Sequence, residues 1–408
     1  MPTLRGLRLL ALAALLLLAL PPTASAEDFQ AFLQSLWPEA QALGVSRETF
    51  GAATRDLQPD LSLPDLVLPG RPARPARQAE FAQLPGAYVS ESVVARLAAQ
   101  GRAVAAADRA TLAAIERRFG VPPAVLLAIW GRETNFGRAR LPYDAVRTLA
   151  TQAWAGRRKE RFRREFVLAL KMLQMGVAPR AEMKSSWAGA MGQTQFLPSD
   201  YLRDAVDFDG DGRADIWRSV PDALASAARQ LVDKGWHIGG GWAWEVRPPA
   251  GFDCAEAEPD VRRSVGAWIA AGLRPIGSRQ PSGGDGEAAS VFLPAGTHGP
   301  AFLTPANFYV FKAYNFSDLY ALFVGHLADR IGGAGPFATP WGKVSQADAQ
   351  GIAFMQQTMT RDGLYHDKID GRAGQKTKAA IGAWQKRHGL AVDCWPSPAI
   401  AAAMRSGR

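Results

Sequence analysis

The sequence predicts a mainly α chain with a small β element inserted late in its core and a three-helix unit at its C-terminus. Three observations point there. From Tyr88 to about Gly235, and again from Asn307 to Ile331, apolar residues recur at helical spacing. Residues 242 to 300 instead carry Gly, Pro and isolated Trp or Val, with short runs that fit strands. Gly332-Gly333-Ala334-Gly335-Pro336 then breaks periodicity before a final helical stretch.

Taken in order, the chain opens with Arg5 and Arg8, an apolar run from Leu9 to Leu20, and Ala24-Ser25-Ala26 as a small-residue cleavage site. Residues 1–26 therefore read as a secretory signal. The run is short for a bilayer span, and no Cys near the cleavage site offers a lipid anchor, so a soluble exported protein is expected. Residues 27 to 57 read as a helical pair, and Pro59 to Arg77 as an extended strap over the surface. Val104–Phe119, Val121–Phe136, Glu160–Met175 and Ala223–Lys234 are the clearest helices, with Trp242–Val246 and Ala289–Leu293 the clearest strands. This divides the chain into a core domain over 27–335, a linker over 336–342 and a C-terminal domain over 343–408, with Gly333 to Pro336 read as a flexible tether.

The 408 residues are 48% hydrophobic, enough for a large core and a smaller second domain, which excludes disorder outside linkers. A formal charge of +9 suits an anionic polymer; scattered Arg carries much of it, so the bacterial cell wall is a better partner than nucleic acid. Cys254 and Cys394 exclude a disulfide framework and leave one bridge or two buried thiols open. Five His without a Cys/His cluster argue against a zinc site.

Glu133 is the most informative residue. Leu126, Ile129, Trp130 and Glu133 fall at i, i+3, i+4 and i+7, which puts a carboxylate on the stripe a helix turns inward. Asn135 and Gly137 mark a helix end just beyond. Burial and a helix C-terminus both disfavour the charged form, and an acid that keeps its proton near neutral pH suits protonation of a glycosidic oxygen. The plainer alternative is a core-edge Glu paired with Arg132 or Arg138.

Asp207, Asp209, Asp211 and Asp215 stand at positions 1, 3, 5 and 9 of an EF-hand-like loop, with Gly212 at position 6 and Arg213 at position 7. Position 12 is Arg218, so Asp222 is the nearest candidate for the closing carboxylate. A structural calcium ion is expected on Asp207, Asp209, Asp211, Arg213 and Asp222, against a plain Asp/Gly turn.

The runs AIWGRETNFGR, SSWAGAMGQTQFLPSDYLRDAVDFDGDGRADIW and NFYVFKAYNFSDLYALFVGHLADRI together resemble the lytic murein transglycosylase B family, glycoside hydrolase family 103, over nearly all of residues 27 to 335. The resemblance implies a lysozyme-like α-rich catalytic core with Glu133 as its acid/base. It implies that Ser186 and Gln195 line the sugar cleft, that Tyr314, Asn315 and Tyr320 form its second wall, and that Arg157 and Arg158 match a basic pair near substrate, here with one extra residue before it. The run Ala188 to Gly192 reads as small side chains that let a saccharide approach the backbone.

Residues 347 to 404 resemble the peptidoglycan-binding module of wall enzymes, with Ile369-Asp370-Gly371-Arg372 as an inter-helix turn, Trp384, Met355 and Met359 as core, and Cys394-Trp395-Pro396 where that module is usually Gly-rich. No cleft motif supplies a second carboxylate, so the implied chemistry is non-hydrolytic cleavage of the MurNAc–GlcNAc bond to a 1,6-anhydro end, with no cofactor required for the chemistry. Peptidoglycan strands are the implied partner, the periplasm the implied location and a monomer the implied state. A hydrolytic muramidase and a non-catalytic wall-binding protein are the competing readings.

Overall fold

The computed structural model describes residues 26–70, 79–277, 281 and 286–407. The secretory-signal reading, apart from Ala26, lies outside the described residues. No described helix is long and apolar enough to cross a membrane.

Helices form where the apolar stripe predicts them, and the departures have local causes. The expected N-terminal pair is three short helices, Ala26–Ser35, Trp37–Ala42 and Arg47–Thr54. Pro38 sits in the first turn of the second, where its missing N–H is harmless and favours a fresh start. The stretch Val104–Phe119 is two helices, Glu91–Ala107 and Arg109–Phe119, broken at Asp108, whose backbone (φ −109°, ψ 29°) leaves helical space. The described part of the strap bridges Leu66 to Gly156, and the Val67 N–H donates to the Ala155 carbonyl at 2.7 Å. The stretch Asn307–Ile331 is likewise two helices, Ala306–Asn315 and Asp318–Ile331. Phe316 turns left-handed (φ 63°) between them, and Ser317 Oγ caps the second by accepting from the Tyr320 N–H at 3.3 Å.

Two apolar cores carry the domain. One gathers Leu126, Ile129, Leu224, Phe311 and Phe323 from the helices around Pro123–Thr134; the other gathers Phe29, Leu149, Phe166, Met191 and Ile216. Tyr314 packs against both, which places it on their seam.

The inserted β element is a five-stranded sheet in the order Arg263–Ser264, Ala288–Phe292, Ala301–Thr304, Trp244–Arg247, Arg274–Pro275, with antiparallel neighbours throughout. Leu303 pairs with Val291 on one side and Trp244 on the other.

The C-terminal unit has three helices, Ala349–Arg361, Gln375–Arg387 and Pro398–Ser406, around Met355, Met359, Ile381 and Trp384. Gln356 organises its turn by accepting the N–H groups of Asp370 and Gly371 at 3.0 and 2.9 Å. Gly371 is required there: its φ is +72°, and a Cβ would stand 2.5 Å from the Ala349 carbonyl oxygen.

The flexible-tether reading is corrected. Cys254 of the insertion and Cys394 of the C-terminal unit form a disulfide, and both sulfurs lie in the core of the sheet. Lys386 pairs with Asp253 at 2.6 Å and Lys376 with Asp260 at 2.6 Å. The linker itself is packed: the Phe337 ring lies 3.8 Å from that of His326, and the N–H groups of Ala338 and Thr339 donate to Glu245.

Candidate active site

The helix Pro123–Thr134 ends in three successive left-handed residues, Asn135 (φ 51°), Phe136 (φ 57°) and Gly137 (φ 73°). The Asn135 and Phe136 N–H groups donate back to the Gly131 and Trp130 carbonyls, closing the helix as expected. Glu133 therefore stands in the last turn, where the dipole disfavours a negative charge.

Its carboxyl is half-buried and hydrogen-bonded by one side chain. The Tyr320 hydroxyl donates to Glu133 Oε1 at 2.6 Å. Burial pushes the Glu133 pKa up to about 7, against the lowering effects of the Tyr320 hydrogen bond and the Arg132 charge. Burial also holds the phenols of Tyr320 and Tyr314 well above their usual range, so both remain donors near neutral pH. Arg132, one of the two expected ion-pair partners of Glu133, instead donates to the Tyr88 hydroxyl at 2.6 Å and stacks over Tyr88 and Phe323.

The Tyr314 ring stacks on Tyr320, centroids 6.1 Å apart and planes 8° apart, and its hydroxyl donates to the Thr194 carbonyl at 2.7 Å. Glu133, Tyr320, Tyr314 and the Thr194–Gln195 backbone thus form one connected wall from three distant stretches of chain. Gln195 has φ 59°, and its amide donates to the Gly192 carbonyl at 3.1 Å. Ser186 is half-buried in the adjoining turn, with Oγ accepting the Ala190 N–H at 3.3 Å. Asn315 ends the helix that carries Tyr314, and its buried Oδ1 has no partner among the described residues.

Two sets of expected site residues also meet partners within the protein. The small residues between Ala188 and Gly192 answer to the core beneath them: at Gly189 (φ +76°) a Cβ would lie 2.3 Å from Leu149 Cδ2. Arg157 and Arg158 both pair with Asp65 at 3.2 Å and so fasten the strap, outside the hydrogen-bonded wall around Glu133.

The structure also adds residues that the motifs did not reveal. Thr134 Oγ1 donates to the Gln193 carbonyl at 2.7 Å and accepts the Gly137 N–H, tying the helix end to the cleft turn. A cavity of about 370 Å³ runs from Thr134 and Gln193 to Trp217 and Asp215. Glu80, on the short helix Ala79–Ala82, is a second carboxylate whose charge helps raise the Glu133 pKa. Only its place beside the strap gave any signal.

In the acidic loop, Asp207, Asp209 and Asp211 each bring a carboxylate oxygen within 4.8 Å of the others, a set that fits a hard cation. Arg213 follows with its N–H on Asp211 Oδ1. Asp222 is corrected: it is fully buried, and its two oxygens accept the N–H groups of Phe208, Asp209 and Asp215 at 2.8, 3.3 and 2.8 Å. It anchors the loop from beneath and is not grouped with the three acidic side chains.

A family model for the transglycosylase SLT domain matches residues 28–329, and one for a putative peptidoglycan binding domain matches 348–404. Membrane-bound lytic murein transglycosylase B of Escherichia coli (strain K12) is 34% identical over 219 residues, a match that covers 52% of this chain and 58% of that protein. The crystal structure of SltB3 from Pseudomonas aeruginosa in complex with NAG-NAM-pentapeptide is 37% identical with a TM-score of 0.82, covering 92% of this chain and 99% of that one. The same protein in complex with NAG-anhNAM-pentapeptide gives a TM-score of 0.80. The Escherichia coli lytic transglycosylase Slt35 in complex with calcium is 27% identical with a TM-score of 0.59, covering 76% and 94%. A family match across most of the chain, on an α-rich scaffold that carries Glu133 in its cleft wall, shows that this protein belongs to the transglycosylase SLT domain family.

Proposed function

We propose that this chain is an exported peptidoglycan lytic transglycosylase that uses Glu133 as its single acid/base. The observation that carries the reading is Glu133 itself: a carboxyl with a pKa of about 7, hydrogen-bonded on Oε1 by Tyr320, which leaves Oε2 to carry the proton.

Neutral Glu133 gives its proton to the oxygen linking N-acetylmuramic acid to N-acetylglucosamine. The C1–O bond breaks, its electron pair leaves with the glucosamine oxygen, and the muramyl acetamido carbonyl oxygen bonds to C1. Ionised Glu133 then takes the proton of the muramyl C6 hydroxyl while that oxygen attacks C1 and displaces the acetamido oxygen. The product is a 1,6-anhydro end, Glu133 regains its proton, and no water is consumed. Ser186, Gln195, Tyr314, Asn315 and Tyr320 are proposed as cleft contacts, and Arg157 and Arg158 as substrate contacts in a supporting position. The relative bound to NAG-anhNAM-pentapeptide supports this product. Mass spectrometry of digested sacculi tests it: anhydro ends are expected, and reducing ends would establish a hydrolytic muramidase.

The unit over 343–408 is proposed to hold the enzyme on the wall. Export to the periplasm is supported by the N-terminal charged and apolar segment and by the Cys254–Cys394 bridge, which persists in oxidising compartments. A structural calcium ion on Asp207, Asp209 and Asp211 is supported by their grouping and by the relative bound to calcium. When bound it would neutralise three crowded carboxylates and take no part in proton transfer.

A further inference from the structure

The contacts around Glu133 close into a ring. Its Oε1 accepts from the Tyr320 hydroxyl at 2.6 Å, the Tyr320 ring stacks on Tyr314, and the Tyr314 hydroxyl donates to the Thr194 carbonyl at 2.7 Å. One residue back, the Gln193 carbonyl accepts from Thr134 Oγ1 at 2.7 Å, and Thr134 follows Glu133 directly along the chain. Gln195, proposed to contact the sugar, follows directly on Thr194. Thr134 therefore closes the ring, and among the described residues its hydrogen bond is the one that joins the turn over 192–195 to the helix Pro123–Thr134.

A threonine inside a helix ordinarily returns its hydroxyl to the carbonyl four residues back. Here that carbonyl, on Trp130, accepts the Phe136 N–H at 3.2 Å. The Thr134 hydroxyl, 2% exposed, instead reaches a residue 59 positions away and at the same time accepts the Gly137 N–H at 3.1 Å. Donor and acceptor are both used, which only a hydroxyl of this size supplies. From the other side the Gln193 N–H donates to the Ile216 carbonyl at 2.9 Å, so both polar groups of the Gln193 backbone are held. We infer that Thr134 is a positioning residue, which fixes the spacing between the acid Glu133 and the turn that presents Gln195 to the sugar. Acid and turn lie on separate stretches of chain, and a misplacement of about 1 Å between such groups costs up to about 100-fold in rate. The inference rests on the proposed role of Glu133.

The test is turnover of soluble glycan fragments by the full mature chain, well below its melting temperature, counted as glycosidic bonds broken. Thr134→Val keeps the shape and removes the hydroxyl; Thr134→Ser keeps the hydroxyl. Thr134→Val should lower kcat about tenfold or more with KM changed less than about threefold, and Thr134→Ser should stay within about threefold of wild type. The alkaline limb should stay near pH 7 in both, since burial, the Tyr320 hydrogen bond and the charges of Arg132 and Glu80 set it. In a Gln195→Ala background, where the turn has lost the amide it presents, Thr134→Val should cost about threefold or less. A merely structural threonine would lower the melting temperature on replacement and leave kcat of the folded enzyme alone. If Thr134→Val does not fold, Thr134→Ala carries the same expectations. The inference is overturned if kcat stays within about threefold of wild type in the variant without the hydroxyl, if Thr134→Ser loses as much, if the limb moves by about one pH unit or more, or if the losses of Thr134→Val and Gln195→Ala simply multiply. An active Glu133→Gln would remove the acid itself. Bonds broken are counted whichever end forms, so reducing ends would overturn the proposed reaction and leave this result standing.

Discussion

Tyr320 donates its hydroxyl to Glu133 across 187 positions of sequence, a contact that orients the candidate acid while opposing the burial that keeps it protonated. Its hydrogen bond favours the carboxylate while burial opposes it, and burial wins. Activity that needs neutral Glu133 should therefore fall as pH rises through about 7. Tyr320→Phe removes the hydrogen bond that favours the anion, so the alkaline limb of the kcat/KM profile should move up, by up to about one pH unit. It should also lower kcat about tenfold through lost positioning. A profile measured on soluble glycan fragments checks both; a limb that moves down would remove Tyr320 from this role.

Glu133→Gln keeps shape and removes the transferable proton. The variant should fold, bind sacculi and release almost no muropeptide, a loss of at least about 100-fold. It should also be more stable than wild type at pH 8. A carboxyl with a raised folded pKa loses stability as pH climbs from the unfolded value towards the folded one, and the amide avoids that loss. Melting curves at pH 5 and pH 8 should show a much larger advantage at the higher pH.

Glu80 discriminates between one-carboxylate and two-carboxylate chemistry. If its charge only raises the Glu133 pKa, Glu80→Gln should shift the alkaline limb slightly down and leave kcat at pH 5 within about threefold. Loss of about 100-fold or more at pH 5 would make Glu80 a working partner and favour hydrolysis.

Millimolar calcium should raise the melting temperature by about 2 °C or more, by binding only the folded loop, and a chelator or Asp209→Ala should abolish the shift. Turnover at low temperature should be unchanged. A melting temperature indifferent to calcium would leave the loop as a plain turn.

Replacing Cys254 and Cys394 together by Ser should cost about 2–4 kcal/mol, because the bridge closes a long loop between two units. Deleting residues 341–408 should be more damaging than removal of a tethered module, since Cys394 and Val392 complete the core of the inserted sheet. Differential scanning calorimetry of both variants checks this; a truncation that melts like wild type would restore the tether.

The helical class, the inserted strands, the buried face of Glu133 and the end of its helix were legible because each depends on neighbours within a few residues. Apolar spacing sets which face turns inward, and Asn135 and Gly137 supply the left-handed exit. The same local logic placed Trp384 and Met355 in a core. The break at Phe316 was not legible, because a bulky residue in left-handed conformation carries no signal comparable to Gly or Pro. Yet that break is what stacks Tyr314 on Tyr320. Contacts between distant segments escaped in the same way: Tyr320 with Glu133, Asp65 with Arg157 and Arg158, Asp222 beneath the acidic loop, and the choice of a bridge over two thiols. The sequence alone determined which apolar faces turn inward and where the Glu133 helix ends, since those follow from local periodicity and backbone preference. Only the tertiary structure decided what each polar group meets, because a hydrogen bond, an ion pair or a disulfide forms between whichever groups packing brings within a few ångströms, whatever their separation along the chain.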